Sequence, residues 1–269
     1  MLKNKITSIA IGGFDGMHLA HQELFKKLDK NGAIVVIETG YANLTPKTYR
    51  AKYTSYPIFY YPLENIKYLS CVEFINLLKE EYPNLKKIVV GFDFKFGFNA
   101  TGGVKDLKEL FDGQVIIIDE YRYEGEAVHS KVIRDLLSKG EIKKASKFLN
   151  KNYTIEGSVI KGQGLGKKQF VPTINILCED FLLPCEGVYA SYTTINNIKY
   201  LSATFIGHRL TTDKKYSIET HIIDTNLDSK YSNIQIEFID KIRDNKRFEN
   251  FEDLKLQIAK DIKIIKANY

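Results

Sequence analysis

Two histidines three residues apart, His18 and His21, close the segment Ile11-Gly12-Gly13-Phe14-Asp15-Gly16-Met17-His18-Leu19-Ala20-His21. That spacing places both imidazoles on one side of a helical turn. Small residues at 12, 13, 16 and 20 let backbone come close to a ligand. A segment that leaves a strand and opens a helix also offers free N–H groups to a phosphate. Paired imidazoles can donate to the oxygens of a nucleotide α-phosphate as charge builds on them during attack. Two histidines at this spacing also occur by chance, and the glycines with the strand-to-helix position tip the reading toward a nucleotide site. The segment is not a P-loop, since no Gly-Lys-Ser/Thr follows.

A second constellation lies further along. Gly162-Gln163-Gly164-Leu165-Gly166-Lys167-Lys168 is a glycine-rich basic loop between two β segments. Open backbone amides and two cations suit a polyphosphate, although β-turns also collect glycine. Thr173 and Asn175 follow, two apart on a strand and so on one face. A hydroxyl and an amide carbonyl are hard oxygen ligands, suited to Mg²⁺ bridging ATP phosphates; a buried polar pair with no ligand is the alternative.

Elements able to position these residues alternate through the first half. Ile6–Ile11, Ala33–Ile37, Ile88–Gly91 and Gln114–Ile118 read as strands. Leu19–Lys30, Ser70–Lys79 and Lys105–Phe111 read as helices, the second with Ser70 and Glu73 at capping-box spacing. This alternation predicts a parallel sheet with helices on its faces. Residues 130–149 read as two helices broken at Gly140. From Lys151 the texture changes to strands between turns: Tyr153–Ile160, Ile174–Leu177, Val188–Thr194, Lys199–Phe205, Tyr216–Ile223 and Ser232–Ile239. That spacing predicts an antiparallel sandwich or barrel. An amphipathic helix from about Phe251 to Ala267 closes the chain. The expected class is therefore α/β plus β.

Length and composition fit this organisation. The 269 residues suggest two domains, and 44% hydrophobic with 27% charged residues exclude a disordered or fibrous chain. No stretch is long and apolar enough for a membrane span, and glycines arrive too early for a signal peptide's apolar core, so a cytoplasmic protein is expected. Cys71, Cys178 and Cys185 form no CxxC pair, which argues against a disulfide scaffold or zinc knuckle. The net charge of +6 is concentrated: residues 131–169 hold ten Lys/Arg against three acids. Such a segment suits an anionic partner and equally a solvated lysine-rich surface.

The residues also carry a family resemblance. GGFDGMHLAH resembles the GxFDGxHxGH motif of bacterial bifunctional riboflavin kinase/FMN adenylyltransferases. Leu69–Ile75 resembles that family's LSxEEFI helix, Val89–Gly97 its VVGxDFxFG stretch, and Ser130–Arg134 its STxIR motif. Val171–Asn175 resembles PTxN, Ser217–Ile222 the ExH strand, and Arg243–Phe248 the RDExxF loop. The resemblance implies a Rossmann-like nucleotidyltransferase domain over 1–150 and a Greek-key β-barrel kinase domain with a terminal helix over 151–269. It implies that ATP phosphorylates riboflavin to FMN, and that a second ATP adenylylates FMN to FAD with release of pyrophosphate. Mg²⁺ is the implied cofactor and small molecules the implied partners, with neither membrane nor nucleic acid expected.

Site roles follow from the same resemblance. His18, His21 and Arg134 would serve adenylyl transfer, with Ser130 and Arg134 on the ATP phosphates. Gly12, Gly13, Phe14, Asp15 and Gly16 would line the nucleotide, and Asp93, Phe94 and Phe96 the flavin side. In the second domain Glu219 would accept the proton of the ribityl 5′-hydroxyl, Thr173 and Asn175 would hold the metal, and Gly162, Gly164, Gly166 and Lys167 the phosphates. Arg243 and Asp244 would close over the flavin. Each has a plainer reading: Asp93 as a turn residue, Phe94 and Phe96 as core, Ser130 as a helix cap, Arg134, Arg243 and Asp244 as surface charges, Glu219 as an exposed strand residue.

The sequence departs from the family pattern at several points. Ala20 replaces a glycine, the FxPHP segment after the second strand is absent, and Lys131 replaces a threonine. Phe170, Phe205 and Leu210 replace a glycine, an asparagine and a proline around the kinase motifs. These favour, as a rival, an adenylyltransferase whose kinase half has lapsed. A non-catalytic flavin- or nucleic-acid-binding protein is the rival from another class; the basic segment favours it and Asn175 with Glu219 opposes it.

Overall fold

The computed structural model describes residues 2–161, 171–211, 213–225 and 232–269. They divide into two compact units, Met1–Val132 and Ile133–Tyr269. The change of sequence texture near residue 150 thus falls inside the second unit.

In the first unit five parallel strands form one sheet in the order β3-β2-β1-β4-β5: β1 (Ser8–Gly12), β2 (Gly32–Glu38), β3 (Ile58–Pro62), β4 (Lys87–Gly91) and β5 (Gln114–Ile118). The central strands are apolar at nearly every position because both faces are covered. Ile9, Ile11, Val35, Ile88 and Val90 pack against Phe74, Ile75 and Leu78 of α3 (Cys71–Glu81) and Leu107 of α4 (Val104–Leu110). The alternate residues Ala10, Ile34, Val36 and Val89 pack against Leu24 and Phe25 of α1 (Leu19–Phe25). The Ser70 hydroxyl accepts from the Glu73 amide and the Glu73 carboxylate from the Ser70 amide, completing the expected capping box on α3. A short helix, α2 (Leu63–Ile66), follows β3, and a two-stranded ribbon, β6 (Arg122–Tyr123) with β7 (Glu126–Ala127), follows β5. The strand order reverses between β1 and β4, and ligands bind beyond the carboxyl ends of strands at such a switch point.

The second unit begins along α5 (Ser130–Lys139), which Gly140 at φ +76° separates from α6 (Ile142–Leu149). Six antiparallel strands then close a barrel: β8 (Thr154–Ile160), β9 (Ile174–Leu177), β10 (Gly187–Ile195), β11 (Ile198–His208), β12 (Tyr216–Ile222) and β13 (Asn233–Asp244), in the ring order β10-β11-β12-β9-β8-β13. Strands β10 to β12 form a meander and β13 returns beside β10, which is a Greek key. The barrel interior is partly polar. Ser191, Thr193, Ser202, Thr204 and Thr220 are fully buried and hydrogen-bond one another at 2.7–3.0 Å, which satisfies their hydroxyls without water. Outside the barrel, α7 (Phe251–Asn268) packs Ile262 and Ile265 over Ala190, Ala203 and Ile239.

Candidate functional site

In the first unit a cavity of about 370 Å³ opens at the carboxyl ends of β1, β4 and β5. Gly12, Gly13, Phe14, Asp15, His18 and His21 line it after β1, Asp93 and Phe94 after β4, and Ser130 at the start of α5. A Cβ on Gly13 would meet nothing within 4 Å, so its backbone faces open space. The His18 and His21 rings stack with centroids 3.5 Å apart. His18 is buried, and Phe14 packs edge-on against His21 at 5.2 Å, so Phe14 supports the pair from the core while also lining the cavity.

The loop between β1 and α1 is held in unusual backbone. Phe14 and Met17 adopt φ of 47°, a conformation that persists in such residues only where neighbours fix it; Gly16, at φ 88°, takes it freely. The Asp15 carboxylate accepts from the amides of Asn43, Leu44 and Thr45 at 2.8–3.3 Å, and the Gly16 amide donates to the Thr45 hydroxyl at 2.8 Å. Residues 43–45, just past the Ile37–Gly40 stretch that stands in place of FxPHP, therefore grip the glycine loop. Ser130 donates from its hydroxyl to the Asp15 carbonyl at 2.7 Å.

Several expected residues take other places. Phe96 is a core residue, stacked on Phe94 at 5.7 Å and against Phe74 at 5.6 Å, and does not line the cavity. Gly16 serves the Thr45 latch rather than the cavity wall. Arg134 belongs to the second unit. Two lining residues that the sequence reading passed over are Glu120 and His129. Their side chains approach to 3.5 Å, and the Arg122 guanidinium followed by His129 holds the Glu120 carboxyl below its usual range. The available signal was the position of His129 directly before Ser130.

The second unit has a cavity of about 190 Å³ between the outer barrel wall and α7. Thr173, Asn175, Phe205, Glu219 and Arg243 line it. Alternation along β12 turns Ile218, Thr220 and Ile222 inward, leaving Glu219 and His221 outside. Glu219 stands directly opposite Asn175 on β9 and Phe205 on β11. The Thr173 hydroxyl donates to Glu219 Oε2 and Arg209 Nη1 to Glu219 Oε1, each at 3.3 Å. Arg243 reaches the cavity from the end of β13 and donates from Nε to the buried Asp261 carboxylate of α7 at 2.9 Å. Asp244 does not line the cavity; its side chain is 86% exposed and pairs with Lys241. Gly162, Gly164, Gly166, Lys167 and Phe170 lie outside the described residues.

The Thr173 hydroxyl and the Asn175 amide carbonyl are hard oxygen donors of the kind Mg²⁺ takes, with the Glu219 carboxylate beside them. Among the described residues no group of three or more His, Cys, Asp or Glu is arranged to hold a metal, and a site with two neutral oxygens suits a cation that arrives on phosphates. Arg209 and Asp261 had not been singled out. Asp261 carried a signal, an acid between Ile258 and Ile262 on the apolar stripe of α7.

Comparison with known proteins resolves both halves. Residues 59–132 match the FAD synthetase family model and residues 149–269 the riboflavin kinase model. A bifunctional riboflavin kinase/FMN adenylyltransferase of Buchnera aphidicola subsp. Acyrthosiphon pisum is 31% identical, the match covering 99% of this chain and 94% of the relative. This chain belongs to that family. The Listeria monocytogenes member is 28% identical over 96% of this chain and 90% of its own length. A crystal structure described as a macrolide-efflux protein from Streptococcus pneumoniae superposes with a TM-score of 0.85 at 27% identity, covering 98% of this chain and 95% of that one. Among the described residues of the present chain no helix is long and apolar enough to cross a membrane.

Proposed function

We propose that this chain makes FAD from riboflavin in two ATP-dependent steps, one in each unit. The observation that carries the reading is that each half has a cavity furnished for its own chemistry. The stacked His18 and His21 share a cavity with the open backbone of Gly13 in the first, and Thr173, Asn175 and Glu219 converge in the second.

In the kinase half the ribityl 5′-hydroxyl oxygen bonds to the γ-phosphorus of ATP, the β,γ-bridging oxygen leaves with ADP, and the hydroxyl proton passes to Glu219. Thr173 and Asn175 would hold Mg²⁺, which neutralises phosphate charge when bound. Arg243, oriented by Asp261 and packed 5.7 Å over the Phe248 ring, would close on the flavin. In the other half an FMN phosphate oxygen attacks the α-phosphorus of ATP and pyrophosphate leaves. His18 and His21 donate to the oxygens on which charge develops, Asp93 and Phe94 flank the flavin side, and Ser130 serves the ATP phosphates. Neither step needs a protein nucleophile; positioning and charge stabilisation carry both.

Phe205 favours a second reading, in which only adenylyl transfer survives, because it stands beside Glu219 in the cavity wall. Incubating the protein with Mg-ATP and either riboflavin or FMN, then separating the flavins, distinguishes the two. FAD from both substrates with FMN as intermediate supports the two-step reading. FAD from FMN alone supports the second, and conversion of neither overturns both.

A further inference from the structure

The geometry points to Arg209 as the positioning residue of the kinase centre, clamped by Asp213 so that it fixes the carboxylate of Glu219. The inference rests on the reading of Glu219 as proton acceptor and adds a residue to which the family motifs quoted above give no role.

Three observations carry it. First, Arg209 is held rigidly. Its Nε and Nη2 form two parallel bonds to the Asp213 carboxylate at 2.9 and 2.8 Å, the planar fork that a guanidinium makes and an ammonium does not. Asp213 is itself anchored, accepting from the Lys215 amide at 3.2 Å. Burial opposes the charge on Asp213, yet the Lys215 amide and the Arg209 guanidinium keep its carboxyl below the usual range. Backbone bonds from Arg209 N to Lys215 O and from Lys214 N to Arg209 O close the turn around the pair.

Second, the remaining face of the guanidinium is spent on Glu219. Nη1 reaches Oε1 at 3.3 Å while the Thr173 hydroxyl reaches Oε2 at the same distance. The carboxylate is gripped from two sides, by the turn after β11 and by the residue just before β9. A base that must meet one hydroxyl proton gains from such fixation, because small misplacements are costly in rate. The Arg209 and Glu219 side chains are both mostly covered, so the pair between them is screened less than a surface pair.

Third, Arg209 stands where two cavities adjoin. Beside the cavity that holds Glu219 lies one of about 470 Å³, lined by Lys161, Lys215 and Ser217 among others. Asn175 and Arg209 line both. A group transferred from one cavity to an acceptor in the other would pass these two residues.

The test is a double-mutant cycle on riboflavin phosphorylation in the full chain, with riboflavin binding read separately by fluorescence quenching. Arg209→Ala is expected to lower kcat about 10- to 100-fold, the loss of a charge-assisted hydrogen bond, with the KM for riboflavin within about threefold of wild type. Arg209→Lys should recover part of the loss. Asp213→Asn, which keeps one acceptor, should lose less than Arg209→Ala. The deciding variant combines Arg209→Ala with Glu219→Gln. If Arg209 acts through Glu219, the double variant is no slower than Glu219→Gln alone. Losses that multiply, or a loss that falls on KM rather than kcat, overturn the inference. Should Arg209→Ala fail to bind riboflavin, Arg209→Lys and Asp213→Asn take its place in the same cycle. Wild-type protein that makes no FMN, or Glu219→Gln protein at wild-type rate, would overturn instead the reading on which the inference rests.

Discussion

Arg50 donates from Nε to the carbonyl of Gly13 across 3.2 Å, from a side chain that is 1% exposed. Its Nη1 also donates to the Lys47 carbonyl at 3.0 Å. Burial pushes the guanidinium pKa down, opposed by the nearby Asp15. Arg50 thus braces the glycine loop from behind, while Gly13 presents open backbone in front. The strained φ values at Phe14 and Met17 depend on such bracing. Arg50→Ala is expected to cost about 1–3 kcal/mol by removing a buried side chain and taking the donor from the Gly13 and Lys47 carbonyls. It should slow FAD formation from FMN about tenfold or more, with FMN formation from riboflavin retained. Thermal unfolding and the two flavin assays check this; an Arg50→Ala protein with wild-type adenylyl transfer would show that the loop holds itself.

Asp15 grips the same loop from the other side. Its carboxylate faces the amides of residues 43–45, so an Asp15→Asn change turns an NH₂ group against at least one amide donor. Hydrogen bonds to a charged acceptor contribute about 1.5–3 kcal/mol, and a loss of that order is expected, with faster proteolytic cleavage between residues 38 and 47. Equal stability and equal cleavage would show that the grip contributes nothing.

Much of this was legible in the sequence because strand-length, mostly apolar segments bounded by turn residues mark their elements locally. Gln114–Ile118 and Ile174–Leu177 match β5 and β9 residue for residue, and Gly140 marks the break between α5 and α6. Strand β3 was not expected. Its Ile-Phe-Tyr-Tyr-Pro lies between prolines, and a 3₁₀ segment at Lys47–Tyr53 precedes it in place of a crossover α-helix. The helix expected over Leu19–Lys30 stops at Phe25, because the chain turns at Leu28 and Asp29 to enter β2; the Asp29 amide donates to the Ser8 hydroxyl at 2.8 Å. Strand β13 runs to Asp244, five residues past the expected end, through bulges that let it bend around the barrel. At the sites, residue types were readable but side-chain direction was not. Phe94 lines the cavity while Phe96, stacked on it, belongs to the core; Asp15 turns to the 43–45 amides, and Arg50 works through Gly13, distant in sequence.

The two cavities predict a division of labour. His21→Ala should abolish FAD formation from FMN while riboflavin is still converted to FMN. Glu219→Ala should do the reverse, blocking riboflavin phosphorylation while FMN is still adenylylated. Losses of about 10²-fold or more are expected where a transition-state donor or a base is removed. If either change removed both activities from a folded protein, the assignment of one step to each unit would be wrong.

The terminal helix supplies a prediction about pH. Asp240 of β13 accepts from the hydroxyl of Tyr269 at 2.6 Å and pairs with Lys143 of α6 at 2.7 Å. Burial raises the Asp240 pKa, but Lys143 and Tyr269 outweigh it and hold the carboxyl below its usual range. Stability from a depressed carboxyl is present above its unfolded value, near 3.9, and is lost as pH falls through the folded value. The Tyr269 hydroxyl is raised by burial and by Asp240, and Lys143 is raised by its bond to Asp240. Stability from a raised hydroxyl or ammonium is present below the unfolded value, roughly 10 for each, and is lost as pH rises through the folded one. Asp240→Asn should therefore lower the unfolding temperature by a constant amount between about pH 5 and 9. The difference from wild type should shrink toward zero below about pH 4 and again at strongly alkaline pH. Because α7 walls the cavity through Leu254, Ile258 and Ile262, riboflavin should bind more weakly to the variant over the same plateau. A difference in unfolding temperature that stayed constant from pH 3 to 9 would show that Asp240 acts through packing rather than through its charge.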